Sequence, residues 1–286
     1  MASPVAFGLG PMPGTSLTQA ADVAASETPL PHIPQLPARG VGSDAIGRTA
    51  ALLDIPVEPG PRGWRVAPRP STRSQYRDQM ARDLDVLEEL WAGTVERVKT
   101  QLAGPWTLAA AIEMPNGHRI ITDPGALRDV TDALQGAAGE HTGDVAKRIA
   151  PCVLQVDEPL LADVTRGTLT GTSEYEDIPA YPEPEERLAR FDALVHAPVL
   201  LDVAWQTADL TRLTAPADRD RVAALLEAGN RLAIAPVEPQ WLWRYFDELQ
   251  LDPAQAALDV VAGPGETLTA TAANYRAARE MAEALR

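Results

Sequence analysis

Short β-like runs that end in polar residues, Gly or Pro alternate along this chain with longer stretches of helical periodicity. This alternation is typical of βα units around a parallel sheet, because each buried strand is followed by a helix that covers it. The runs that we predict to be strands are Val5–Leu9, Val98–Leu102, Cys152–Val156, Ala193–Val195, Val199–Ala204, Leu232–Ala235 and Leu258–Val261. A chain of 286 residues has the usual length of one (β/α)8 barrel. We therefore predict an α/β, TIM-type barrel that forms a single domain over residues 1–286.

The helices between these runs are marked by their caps and by their apolar spacing. Leu84, Leu87 and Leu90 recur at three-residue intervals and form a stripe suited to covering a sheet. Asp123 precedes Pro124, a cap followed by a proline in the first helical turn. The predicted helices are Ser74–Ala92, Asp123–Arg148, Arg219–Ala228 and Thr269–Leu285.

Two stretches depart from the regular alternation. Residues 40–70 form a predicted irregular insertion that contains a short helix at Asp44–Leu53 and a PVEPGPRG turn. Residues 171–186 (GTSEYEDIPAYPEPEE) are acidic and contain several prolines. We interpret the second stretch as a solvated surface loop, with a lid as the alternative.

The charge and the cysteine content restrict the partners and the chemistry. A net charge of −15 argues against nucleic acid or an anionic membrane as a partner, because phosphates are bound by clustered Lys and Arg. The first residues carry no basic start, and no run approaches the ~20 apolar residues of a membrane span, so we expect a cytoplasmic protein. A lone cysteine, Cys152, excludes an internal disulfide and a multi-cysteine metal cage. We predict that it is a buried structural thiol.

Three strand ends carry candidate ligand-binding residues, because ligands meet a parallel barrel at the C-terminal ends of its strands. In GLGPMPGT, Gly10 lets backbone approach a ligand, and a plain tight turn is the alternative. In KTQLAGPWT, Lys99 and Trp106 flank a strand break that leads into a helix N-terminus, and simple packing of Trp106 is the alternative. In VLQVDEP, Asp157 and Glu158 could bind a cation or an amine, and a cap for the following short helix is the alternative.

The order and spacing of these motifs resemble the C-terminal barrel of the cobalamin-independent methionine synthases, especially their short actinobacterial-type homologues. The resemblance covers nearly the whole chain, through GLGPMPGT, LPHIPQLPARGVGSDAIGRTAALL, VKTQLAGPWTLAA and VLQVDEPLL. It implies a TIM-type barrel and methyl transfer from methyltetrahydrofolate to homocysteine in methionine biosynthesis. It also implies a homocysteine-like or folate-like small molecule as substrate, with Asp157 holding the amino group of homocysteine. The chain departs from the family in the opening loop, where Pro11 replaces a small polar residue.

A second departure concerns the zinc ion that the family uses to ionise the homocysteine thiol. The family ligands are a His-x-Cys pair, a Glu from the next strand and a Cys near the C-terminus. Here His196 is present, but Pro198 replaces the first cysteine and residues 261–266 contain none. Asp202 stands in the following apolar run, so His196 and Asp202 are candidate metal ligands, with Glu238 or Glu266 as a third. Such a donor set suits zinc less well than thiolates do, and we assign no cofactor.

The spacing near His196 also differs from that of a regular barrel. Two residues separate His196 from Val199, which is too few for a helical crossover between parallel strands. Either the two runs form one strand kinked at Pro198, or a βα unit has been lost near residues 196–200. We favour the loss, which predicts an irregular barrel at this point.

Two functions from different classes remain open. The first is a methionine-synthase-like methyltransferase, and the second is a non-catalytic, degenerate barrel that binds a metabolite or a partner protein. Decarboxylation of the uroporphyrinogen type on a related barrel would need no metal, but its motifs cannot be matched in this chain. The other histidines, His32, His118 and His141, are predicted to have surface or packing roles.

Overall fold

The computed structural model describes residues 3–67, 73–173, 175–252 and 256–286. Residues 68–70 of the predicted insertion and Glu174 of the predicted acidic loop lie outside these ranges. The described strands are β1 (Ala6–Gly8), β2 (Val57–Gly60), β3 (Gly63–Val66), β4 (Val98–Ala103), β5 (Ile112–Glu113), β6 (Cys152–Asp157), β7 (Ala193–His196), β8 (Trp205–Ala208), β9 (Arg231–Ile234) and β10 (Leu258–Ala262). The described α-helices are α1 (Leu17–Glu27), α2 (Ala45–Leu52), α3 (Arg73–Trp91), α4 (Pro105–Ala111), α5 (Pro124–Arg148), α6 (Leu161–Arg166), α7 (Glu185–Leu188), α8 (Pro216–Glu227), α9 (Pro239–Leu249) and α10 (Leu268–Ala284).

A parallel sheet of seven strands lies at the centre of the described chain, in the order β1-β10-β9-β8-β7-β6-β4. Residues 30–35, the edge-joining segment, lie between its two outer strands. Leu30 bridges Phe7 of β1, and His32 bridges Lys99 of β4, both in the parallel sense. The Ile33 N–H donates to the Lys99 carbonyl at 2.8 Å. The sheet is therefore curled, which makes this α/β arrangement compatible with a TIM-type barrel.

The two faces of the sheet bury different sets of side chains. Inside the curl, an apolar cluster brings together Phe7, Leu30, Leu194, Ala233 and Val261. On the outer face, Leu232 and Val260 belong to a cluster with residues of the covering helices, such as Phe246 of α9 and Tyr275 of α10. The alternation of strand side chains produces this division, and it leaves polar strand residues for the C-terminal end of the curl.

The junction of β7 and β8 corrects the prediction made for residues 193–204. β7 and β8 are distinct, neighbouring parallel strands, with Val195 opposite Gln206. The predicted loss of a βα unit is therefore wrong for its strand, because β8 is present. The predicted strand Val199–Ala204 is also wrong, because these residues belong to a connector, residues 197–204, that contains no helix.

A connector without a helix can join these parallel strands because each strand has only four residues, so the chain has little length to return along. The buried side chain of Gln206 holds the connector in place. Its Oε1 accepts from the Leu201 N–H at 2.6 Å, and its Nε2 donates to the Val203 carbonyl at 3.3 Å. One side-chain amide thus satisfies backbone groups that a helix would otherwise satisfy internally.

Most of the predicted helices are confirmed. The four predicted long helices correspond to α3, α5, α8 and α10, and the short helix in the insertion corresponds to α2. Asp123 caps α5 as predicted, since its carboxylate accepts from the Ala126 N–H at 2.9 Å. The rest of the described insertion is more regular than predicted, because β2 and β3 form an antiparallel hairpin that joins β5 in a small sheet. Within the described ranges, no helix combines the length and the apolarity needed to cross a membrane.

Candidate functional site

Three consecutive strands bring predicted site residues to the same end of the sheet. Ala103 of β4 pairs with Asp157 of β6, and Asp157 pairs with His196 of β7. Paired residues of parallel strands project from the same face, so Asp157 and His196 are neighbours at the C-terminal strand ends. Lys99 lies near the N-terminal end of β4, opposite Val153, and its long side chain extends toward the C-terminal strand ends.

Lys99 is fully buried and its ammonium group has three acceptors. The Lys99 Nζ donates to Gln155 Oε1 at 2.7 Å and to the Leu9 carbonyl at 3.3 Å. The third acceptor is the Gln101 side-chain oxygen at 3.1 Å, in the amide orientation that also lets Gln101 donate to the Ile33 carbonyl. Burial lowers the pKa of Lys99, and the nearby Asp157 carboxylate opposes that effect.

Gln155 connects Lys99 to Asp157. Its Nε2 donates to Asp157 Oδ1 at 2.7 Å and to the Leu9 carbonyl at 2.8 Å. Burial raises the pKa of Asp157, while the charge of Lys99 and the hydrogen bond from Gln155 lower it. Asp157 Oδ2 accepts no hydrogen bond from the described residues, although the residue is only 8% exposed. One oxygen of this carboxylate is therefore fixed and the other is open.

Both carboxylate oxygens of the adjacent residue, Glu158, accept hydrogen bonds from within the protein. Its Oε1 accepts from the Trp106 N–H at 3.0 Å, and its Oε2 accepts from the Thr107 N–H at 2.7 Å and the Thr107 hydroxyl at 2.6 Å. Glu158 thus caps α4, the helix after β4, and not the short helix that follows it in sequence. A Cβ at Gly104 would overlap the Glu158 carboxylate. Burial raises the pKa of Glu158 to about 7, and the three hydrogen bonds act in the opposite direction.

Trp106 packs beneath the acidic loop. It is 2% exposed, and its Nε1 donates to the Pro184 carbonyl at 3.1 Å. Its ring lies 5.0 Å from that of Tyr181. Ile178 and Pro184 are buried, so the described part of the loop is docked on the protein more firmly than a solvated loop would be.

Gly10 adopts a positive φ of 133°, a conformation that favours glycine. A Cβ at this position would lie 2.8 Å from the side chain of Gln101, and the Gly10 carbonyl accepts from the Gln35 N–H at 3.0 Å. The close contacts of Gly10 are therefore with protein groups, and the predicted contact with a ligand stays a prediction.

The predicted metal ligands do not form a three-ligand site in the described part of the chain. The His196 Nδ1 lies 2.7 Å from the Thr207 hydroxyl of β8, and burial, followed by the charge of Lys99, lowers the pKa of His196 to about 4. Asp202 lies in the connector, and it, Glu238 and Glu266 are exposed. No group of three His, Cys, Asp or Glu side chains suited to a metal ion occurs among the described residues. One imidazole beside a hydroxyl is not a donor set that fits the zinc of the family.

The cysteine and the other three histidines lie outside this cluster of hydrogen-bonded residues. Cys152 begins β6, at the opposite end from Asp157; it is half-buried where a buried thiol was predicted, and burial raises the pKa of its thiol to about 11. His32 and His141 have the predicted packing roles: His32 lies edge-on to Tyr275 with ring centroids 5.6 Å apart, and His141 bonds Thr100 at 3.0 Å. His118 lies at the surface and pairs with Glu176 at 2.7 Å.

Gln101, Gln155 and Thr207 belong to the site but were not among the predicted residues. The alternation within VLQVDEP carries a signal for Gln155, because a residue two positions before Asp157 faces the same side of the sheet. Gln101 follows Lys99 by two positions in the same way. Thr207 could not be found because its strand was predicted six residues too early.

Searches for relatives found no protein-family model and no curated protein that matches the chain. The resemblance to methionine synthases thus depends on the motifs alone.

Proposed function

We propose that this protein is a methionine-synthase-like barrel that binds a small metabolite through the metabolite's primary ammonium group. The observation that carries the proposal is the half-satisfied carboxylate of Asp157: Gln155 holds Oδ1, and Oδ2 accepts no hydrogen bond from the described residues. An open oxygen on a largely buried carboxylate favours a cationic donor as its partner. Its place at a C-terminal strand end is where parallel barrels bind their ligands.

We infer a TIM-type (β/α)8 barrel in which the edge-joining segment takes the eighth strand position. The parallel bridges from Leu30 to β1 and from His32 to β4 support this inference. In such a barrel the mouth is formed by the loops after each strand, including the loop that contains Gly10.

His196 supplies a second polar group next to Asp157. Thr207 engages its Nδ1, while its Nε2 makes no hydrogen bond to a described residue. A carboxylate beside an imidazole suits a small ligand that carries an amine and a further hydrogen-bonding group. An amino-acid-like molecule such as homocysteine, the substrate that the resemblance implies, meets this requirement.

Methyl transfer from methyltetrahydrofolate to homocysteine is the second candidate, favoured by the order of the motifs around Asp157. The geometry favours binding over this reaction, because the donor set around His196 does not fit the zinc that ionises the thiol in the family. Purified, chelator-free protein should contain well below one equivalent of zinc. Stoichiometric zinc that is lost in His196→Ala, together with homocysteine methylation that is lost in Asp157→Asn, would establish the methyltransferase instead.

The binding proposal is tested by calorimetric titration with homocysteine and with 4-mercaptobutyrate, which is homocysteine without its amino group. We expect homocysteine to bind and 4-mercaptobutyrate to bind at least about tenfold more weakly, because a charge-assisted hydrogen bond contributes about 1.5 to 3 kcal/mol. Asp157→Asn should remove this preference, whereas Asp202→Asn, which changes an exposed carboxylate, should preserve it. Equal affinity for the two ligands, or an unchanged preference in Asp157→Asn, would refute the proposal.

A further inference from the structure

A buried lysine that takes no part in a direct ion pair needs a physical account, because burying a charge without compensation is costly. Lys99 is 0% exposed. Its Nζ faces the Gln155, Leu9 and Gln101 oxygens at 2.7, 3.3 and 3.1 Å. Three acceptors match the three N–H donors of an ammonium group, whereas a neutral amine would turn its lone pair toward one of them. The arrangement thus selects the charged form.

The side-chain amide of Gln155 links the Lys99 ammonium group to Asp157. Its oxygen accepts from Lys99, so its NH2 group must point the other way, toward the Leu9 carbonyl and Asp157 Oδ1. Both of its amide hydrogens then have acceptors, and Gln155 itself is 0% exposed. The Gln155 amide is therefore fixed at both its oxygen and its nitrogen. Lys99 orients this amide, and the amide in turn orients the Asp157 carboxylate.

We propose that Lys99 is a positioning residue for the metabolite site, which acts through Gln155 to favour the ionised form of the Asp157 carboxylate and to keep its Oδ2 open. The role in ligand binding rests on the proposed function. The coupling between Lys99 and Asp157 does not, because all its contacts are internal to the protein.

The other titratable groups around this pair do not supply the same charge. His196 on β7 and His32 in the edge-joining segment both have pKa values lowered by burial and then by Lys99, so both imidazoles are neutral at pH 7. The pKa of Cys152 is raised by burial, which keeps it a thiol. Glu158 adds negative charge beside Asp157, but its oxygens bind the N-terminus of α4. Among these described groups, Lys99 is the cation that stabilises an ionised Asp157.

The inference is tested by following the Asp157 carboxyl carbon by NMR through a pH titration of ligand-free protein labelled with 13C at aspartate Cγ. The Asp157 signal is assigned by its loss in Asp157→Asn. In Lys99→Met, the Asp157 midpoint should rise by about one pH unit or more, because an opposite charge nearby lowers a carboxyl pKa by roughly 1 to 3 units. Lys99→Arg, which keeps the charge, should restore at least half of that change.

The matched control is Arg231→Gln, which removes a partly buried cation from the opposite end of the same sheet. It should leave the Asp157 midpoint within about 0.3 pH units of wild type, because that site does not contact the Lys99 network. An Asp157 midpoint that Lys99→Met leaves unchanged would overturn the inference, and so would an equal rise in Arg231→Gln.

If Lys99→Met does not fold, the wild-type protein supplies the measurement. The Lys99 Nζ and Asp157 Cγ shifts should then show shared inflections, since strongly coupled groups titrate as a pair. Independent single-step curves would refute the coupling. Because no ligand is present, this experiment can fail while homocysteine still binds, and it can succeed when homocysteine does not.

Discussion

The sheet places a cation near a buried carboxylate at each of its ends, and the two arrangements differ. At the N-terminal ends, Arg231 of β9 binds both oxygens of Asp259 on β10 at 2.6 Å, which we call the lower pair. At the C-terminal ends, Lys99 reaches Asp157 only through Gln155, which we call the upper pair. The Val5 N–H also binds Asp259, at 2.8 Å. Both oxygens of Asp259 are hydrogen-bonded, so this carboxylate links neighbouring strands. Asp157 has one oxygen without a partner among the described residues, and that oxygen is available to a ligand.

The largest expected effect tests the structural role of the lower pair. Arg231→Met should lower the free energy of unfolding by about 3 to 5 kcal/mol, because it leaves the carboxylate of Asp259, only 1% exposed, without its cation. Urea unfolding followed by circular dichroism measures the change. A loss below about 1 kcal/mol would mean that the lower pair does not hold β9 and β10 together.

A second prediction contrasts the two adjacent carboxylates of β6. Glu158→Gln should lower the free energy of unfolding by about 2 to 3 kcal/mol, since one amide end would face the Thr107 or Trp106 N–H as a donor against a donor. Glu183→Gln, at an exposed position of the acidic loop, is the matched control and should change stability by less than about 0.5 kcal/mol. Similar losses in the two variants would contradict the capping role of Glu158.

The smallest expected effect concerns the upper pair. Asp157→Asn should change the free energy of unfolding at pH 7 by less than about 1.5 kcal/mol, because Asn keeps an oxygen that accepts from Gln155. Burial raises the folded-state pKa of Asp157 above that of the unfolded chain, so its contribution to stability is lost as the pH rises from about 4 toward the folded-state pKa. The difference in stability, variant minus wild type, should therefore increase with pH over that range. Urea unfolding at pH 4, 5.5 and 7 checks this trend, and a constant or decreasing difference would contradict it.

Sequence patterns predicted the strands that carry the site, because β6 is a largely apolar run that ends in acidic residues and β4 is a β-like run that ends at a Gly-Pro break. They failed at Val199–Ala204 for a physical reason. Leu201 and Val203 are 3% and 7% exposed although they lie in a connector. Without a helix over β7 and β8, the connector itself buries apolar side chains, and its composition then matches that of a strand.

For the site, the position of Asp157 at a strand end was predictable, but the partners that decide its chemistry were not. Glu158 binds a helix that begins more than fifty residues earlier in the chain. Sequence spacing gives no information on such a contact. Spacing alone could therefore not tell which of Asp157 and Glu158 is available to a ligand. The structure separates them through their hydrogen-bond partners.

The edge-joining segment has a consequence for the entropy of folding. It contains Pro31 and Pro34 and is flanked by Pro29 and Pro37, and each proline lacks a backbone donor and has φ fixed near −65°. Few hydrogen bonds can hold it, and Ile33 and Gln35 donate to β4 and to the loop after β1. Chain stiffness compensates, because a proline-rich segment is already extended before folding and loses little conformational freedom on docking. The two edges of the sheet are thus joined by a segment whose shape is set in the unfolded state.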